Sequence, residues 1–138
     1  MIEPGEYSDT LRALGHFLDR TGASSIEIVD RGDHWLVAST LGSETLFETY
    51  HLADLRNEGR LRRGDPDNRP DSGLSWMLRT LGHVLDTLRA TSFGIFQVEE
   101  GFRLTATNSA EEIDRTYTLA EIRALNEERR RDRRALEA

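Results

Sequence analysis

Leu11-Arg12-Ala13-Leu14-Gly15-His16-Phe17-Leu18-Asp19 returns 67 residues further along the chain as Leu78-Arg79-Thr80-Leu81-Gly82-His83-Val84-Leu85-Asp86, with seven of the nine positions identical. The same offset, without a gap, sets Ile26 and Ile28 against Phe93 and Ile95, Trp35 and Val37 against Phe102 and Leu104, and Leu46 against Ile113. It ends by matching Thr49-Tyr50-His51-Leu52-Ala53-Asp54-Leu55-Arg56 to Thr116-Tyr117-Thr118-Leu119-Ala120-Glu121-Ile122-Arg123. Self-similarity at a fixed period is the mark of a repeated structural unit. The reading is therefore a tandem duplication, with repeats over about residues 7–58 and 74–125.

Within each copy the apolar period decides the elements. Tyr7, Leu11, Leu14 and Leu18 fall at the i, i+4, i+7, i+11 spacing of one helical face, and Leu74, Leu78, Leu81, Leu85 and Leu88 repeat it. Three strands follow, near residues 25–30, 34–40 and 45–50, rich in β-branched and aromatic residues and parted by Arg31-Gly32-Asp33 and Leu41-Gly42-Ser43 as turns. Connections this short predict an antiparallel meander. Thr118-Leu119-Ala120-Glu121 has the form of a capping box and opens a second helix; His51 stands in the capping place of the first copy. The expected fold is α+β: a helix, three-stranded meander, helix (αβββα) unit in tandem, forming one pseudo-two-fold domain with antiparallel sheet over residues 1–138. Each meander alone leaves an edge and a face unfilled, and its twin supplies the partner, either edge to edge or face to face. Residues 59–73, rich in Pro, Gly, Asp and Arg, read as an exposed linker, and 126–138 as a charged helical tail.

Composition narrows the function. The chain has 138 residues, no cysteine and a formal charge of −7. Disulfides, thiolate chemistry and cysteine-ligated metals are thereby excluded, and attraction to nucleic-acid phosphate or anionic lipid is disfavoured. No apolar run approaches the ~20 residues that span a bilayer, and the N-terminus lacks the pattern of a secretory signal, so a cytoplasmic location is expected. Every cation is arginine, a composition that points to a GC-rich bacterial genome and supplies planar forks suited to carboxylates.

The repeated polar residues are the candidates for chemistry. A glycine inside a helix costs about 1 kcal/mol relative to alanine, so its recurrence at Gly15 and Gly82 asks for close backbone approach. Two first helices crossing antiparallel there would bring Arg12 to Asp86 and Arg79 to Asp19, a repeat-to-repeat contact with two reciprocal ion pairs. His16 with Asp19, and His83 with Asp86, are the candidate metal or acid–base pairs, since imidazole and carboxylate three residues apart share a helix flank. The wheel turns His16 toward solvent. Trp35 and Phe102 belong in the core, whereas Trp76, opposite Asp9 in the first copy and on the polar side of its wheel, is with Met77 the candidate anchor for a protein partner.

No catalytic or cofactor motif is present in the sequence, and no cofactor is expected. The reading that follows is a non-enzymatic protein-interaction or regulatory protein, monomer or homodimer, with another protein as partner. Two others stand beside it: a nucleic-acid-associated protein using the Arg-rich helix ends at Arg60-Leu61-Arg62-Arg63 and Arg129–Arg134, or a small-molecule or metal binder between the repeats. The helix, meander, helix order is broadly similar to several small α+β binding folds, secretion chaperones among them, a similarity of element order alone.

Overall fold

The computed structural model describes residues 6–22, 24–61 and 73–137. It is α+β, with four helices and one six-stranded antiparallel sheet. In chain order the elements are α1 (Glu6–Thr21), β1 (Ser24–Asp30), β2 (His34–Leu41), β3 (Glu44–His51), α2 (Leu52–Leu61), α3 (Ser75–Leu88), β4 (Ser92–Val98), β5 (Gly101–Thr107), β6 (Glu112–Thr118) and α4 (Leu119–Glu137). The sheet runs β3-β2-β1-β4-β5-β6, so the two meanders join edge to edge through β1 and β4, with Ile28 opposite Ile95. That junction gives each meander's first strand a hydrogen-bonding neighbour on both sides.

All four helices lie on one face. Ile26 and Ile28 of β1, Trp35 and Val37 of β2, Phe93 and Ile95 of β4, and Phe102 and Leu104 of β5 point under them and are buried. Leu11, Leu14, Leu18, Leu78, Leu81 and Leu85 meet these from α1 and α3. Phe93 sits at the centre, edge-on to both Tyr7 at 5.5 Å and Trp35 at 4.9 Å. Among the described residues no helix covers the other face of the sheet.

Several local expectations reappear in place. Thr118 and Glu121 form the capping box, each accepting the other's backbone N–H, at 3.1 and 3.2 Å, and α4 starts at Leu119. α2 runs through Leu61, with Gly59 close against the backbone of Asp9 and Thr10, and of the expected linker residues 62–72 lie outside the described residues. The segment after 125 is not simply a solvated tail: Asn126 is buried and its Oδ1 accepts hydrogen bonds from Arg79 and Arg129.

Candidate functional site

The helix pair at the centre shows where the repeated residues go. α1 and α3 are antiparallel, and the glycines do not face each other: Gly15 rests on the start of α3 and Gly82 on the start of α1. A methyl at Gly15 would stand 2.5 Å from Ser75 Cα, and one at Gly82 2.6 Å from Tyr7 O and 2.8 Å from Ser8 Cα. Asp19, in the last turn of α1, accepts the backbone N–H of Leu74 at 2.7 Å and of Ser75 at 3.1 Å, at the start of α3. Asp86, in the last turn of α3, does the same for Tyr7 at 3.0 Å and Ser8 at 3.1 Å, at the start of α1. A carboxylate at the C-terminal end of a helix opposes that helix's own dipole, but at another helix's N-terminus it satisfies free N–H groups and faces favourable charge. Leu74 offers α3 no side-chain cap, so Asp19 supplies it.

These bonds assign Asp19 and Asp86 to capping. Among the described residues no group of three or more His, Asp and Glu is placed to hold a metal. His16, expected to face solvent, is buried, as is Arg12; His83 on α3 is exposed. Replacing Asp86 with Ala should lower stability by about 1–2 kcal/mol, the usual worth of an N-cap. Hydrogen exchange should speed up at the amides of Tyr7 and Ser8, in α1, rather than near residue 86. Asp19→Ala should act in the same way on Leu74 and Ser75.

The outer helices differ. α2 is clamped to α1: Arg56 Nε forms an ion pair with Glu6 at 2.8 Å, and Arg60 Nη2 donates a hydrogen bond to Glu6 Oε1 at 2.5 Å. Burial pushes the Glu6 carboxyl up, but the hydrogen bonds and charge of these two arginines more than reverse it, and the group titrates below its ordinary value. On this side Phe17 stacks on Tyr50, centroids 6.3 Å apart and planes 14° from parallel. Burial, then the hydrogen bond the hydroxyl gives to Glu48 at 2.7 Å, pushes Tyr50 up to about 12.

Across the molecule, 67 residues on, α3 and α4 leave a groove of about 530 Å³ with β6 as its floor. Val84 occupies the place of Phe17, Tyr117 that of Tyr50, and Leu88 and Leu125 complete an apolar lining. The rim is charged with both signs: Arg115, whose guanidinium lies 4.7 Å from the Tyr117 ring centre, is 3.7 Å from Glu121.

A second surface is the uncovered sheet face. Phe47 of β3 is 81% exposed, and beside it Ala38, Leu36 and Val29 form a shallow hollow of about 300 Å³. In strand register Phe47 pairs with Ala38, Ala38 with Glu27 and Glu27 with Phe96, so the apolar patch lies on β3, β2 and β1 and Glu27 parts it from Phe96. Toward β6 the face turns polar, and Arg103 grips Asp114 with two hydrogen bonds at 2.9 and 2.6 Å.

Trp76, the expected anchor, is only 2% exposed and belongs to the core; Met77 beside it is half-buried. Of the Arg-rich helix ends, Arg60 is taken by Glu6 and Arg129 reaches Asn126, while Arg62 and Arg63 lie outside the described residues. Sequence reasoning missed Phe47 and the groove. The signal for Phe47 was an aromatic residue out of phase with the buried positions of its strand; for the groove it was Val84 standing where the first copy has Phe17.

Among the described residues no helix is long and apolar enough to cross a membrane. The comparisons with known proteins give nothing to set beside this geometry: no family model, no curated protein and no solved structure matches the chain.

Proposed function

We propose that the chain is a non-enzymatic protein-interaction or regulatory protein acting in the cytoplasm, a single domain made of two duplicated, pseudo-two-fold repeats, with its uncovered sheet face docking another protein. The duplication is supported by the 67-residue offset, by a strand order that reads alike from either edge, and by the reciprocal caps of Asp19 and Asp86. The observation that carries the interaction reading is Phe47, an aromatic ring 81% exposed beside Leu36, Ala38 and Val29 on a face no element of the described chain covers. A contiguous apolar patch on a charged protein is the usual mark of a binding surface, and aromatic residues dominate such contacts. β3 is also an edge strand, so an extended partner segment can add main-chain hydrogen bonds beside the patch.

Selection of a displayed peptide library on the immobilised protein tests this. Enriched peptides should be extended and apolar, and should bind Phe47→Asp more weakly by about tenfold or more, the equivalent of about 1.4 kcal/mol. An exposed position tolerates that change within about 0.5 kcal/mol of folding stability, so lost binding reports the surface. Failure to enrich any peptide, or equal binding to the variant, would remove the sheet face from consideration.

A further inference from the structure

β3 is an outer strand of the sheet, and its charge tells what kind of segment it takes. All of it, from Glu44 to His51, pairs with β2 in unbroken register. Its other side presents backbone N–H and C=O groups that no strand among the described residues meets. Glu44, Leu46, Glu48 and Tyr50 alternate toward the helix-bearing side, where Tyr50 stacks on Phe17, and Thr45, Phe47, Thr49 and His51 toward the bare face. Glu48 accepts the Tyr50 hydroxyl at 2.7 Å, but among the described residues no arginine pairs with it or with Glu44. The opposite edge is matched within itself: 67 residues on, Arg115 stands in the place of Glu48 and meets Glu121 at 3.7 Å, and Asp114, in the place of Phe47, is held by Arg103. We infer, on the reading that the Phe47 surface docks a protein, that β3 takes an extended segment of another protein carrying two cations four residues apart with apolar residues between them. The cations stand opposite Glu44 and Glu48, and an apolar side chain opposite Phe47.

In strand addition the main chain supplies affinity and the alternate side chains supply the choice of partner. A cation directly across from a glutamate on a neighbouring strand favours pairing, whereas an acid there opposes it. Charge complementarity of this kind acts on specificity and on the rate of encounter more than on raw affinity. The spacing of the cations is the same whichever way the added strand runs, because it is set by Glu44 and Glu48. A second copy of this chain is the poorer occupant. β3 holds no arginine, so β3 against β3 would gather four glutamates at one joint between chains that each carry −7.

Three end-blocked peptides test this by amide NMR titration of the labelled full-length chain: Thr-Thr-Lys-Phe-Val-Thr-Lys-Thr-Thr, and the same peptide with both Lys replaced by Gln or by Glu, each also made in reversed order. Saturable shifts should fall on residues 44–51. The Lys peptide should bind about tenfold tighter than the Gln peptide, two cross-strand pairs at about threefold each, and the Glu peptide should bind weakest. In the double variant Glu44→Gln, Glu48→Gln, which keeps the shape of both side chains, the Lys and Gln peptides should bind alike. Added salt should shrink the preference in the wild type only. Phe47→Asp should weaken the Gln peptide by about tenfold. Binding of the Gln peptide that depends on Phe47, with no gain from Lys, would overturn the inference and leave the docking reading standing. A Lys preference that survives in the double variant would do the same. Absence of shifts in β3 with all three peptides would also overturn the inference, and the displayed-library selection would then decide the sheet face by itself.

Discussion

Gly82→Ala is expected to destabilise the protein by about 3 kcal/mol, against a helix propensity that by itself would stabilise it by about 1 kcal/mol. The added methyl meets Tyr7 O and Ser8 Cα, which are backbone atoms of a helix and cannot rotate away. The helices must separate, and separation loosens the contacts that Leu78, Leu81, Leu11 and Leu14 make beneath them. For a chain of this size the melting temperature should fall by about 10 °C. Gly15→Ala should behave in the same way, since its methyl would meet Ser75 Cα at 2.5 Å. The double variant should cost less than the sum of the two, because one displacement of the helices relieves both clashes. Thermal melts of the three variants followed by far-ultraviolet circular dichroism check the set; a neutral effect at either glycine would mean that the helices pack more loosely than these distances.

Trp76→Ala should cost about 3–5 kcal/mol, the range for emptying the site of a large buried aromatic. The same substitution at an exposed partner anchor would leave folding stability nearly unchanged, so one denaturation curve separates the two roles. Trp76→Phe should recover most of the loss. The indole Nε1 is buried with no hydrogen-bond partner among the described residues, and replacing it with an apolar ring removes an unsatisfied donor while keeping most of the packing. Met77→Ala, at a half-buried site, should cost less than Trp76→Ala. Since the total stability of such a domain is commonly 5–15 kcal/mol, Trp76→Ala takes a large share of it.

The case of Trp76 shows where sequence reasoning stopped. Period and turn residues placed all six strands and the first helix of each copy within one or two residues, because those elements bury one stripe or one alternating set and the pattern records it. A helical wheel assumes a single buried stripe. α1 packs against α2 on one side, α3 on another and the sheet below, and His16 is buried although the wheel turns it toward solvent. Trp76 likewise lies on the polar side of its wheel on α3 and is buried. The recurrence of Gly15 and Gly82 did signal close approach. The partners of Asp19 and Asp86 stayed hidden because they are backbone N–H groups, which leave no residue-type signature. Phe47 and the groove were legible only as departures: an aromatic out of phase in its strand, and a position where the two halves of the sequence differ.

The reciprocal caps also govern how the chain can come apart. Each half holds the aspartate that completes the other half's first helix, and each helix lends the bare glycine surface on which the other rests. Neither half owns a finished helix start, so fraying at residue 7 and loosening at residue 86 are the same event. A fragment ending before residue 73 would carry a sheet edge, a bare helix flank and an aspartate with nothing to cap. A second copy of itself would offer it all three. Because each half completes the other's helix start, unfolding should be a single transition in which both halves come apart together.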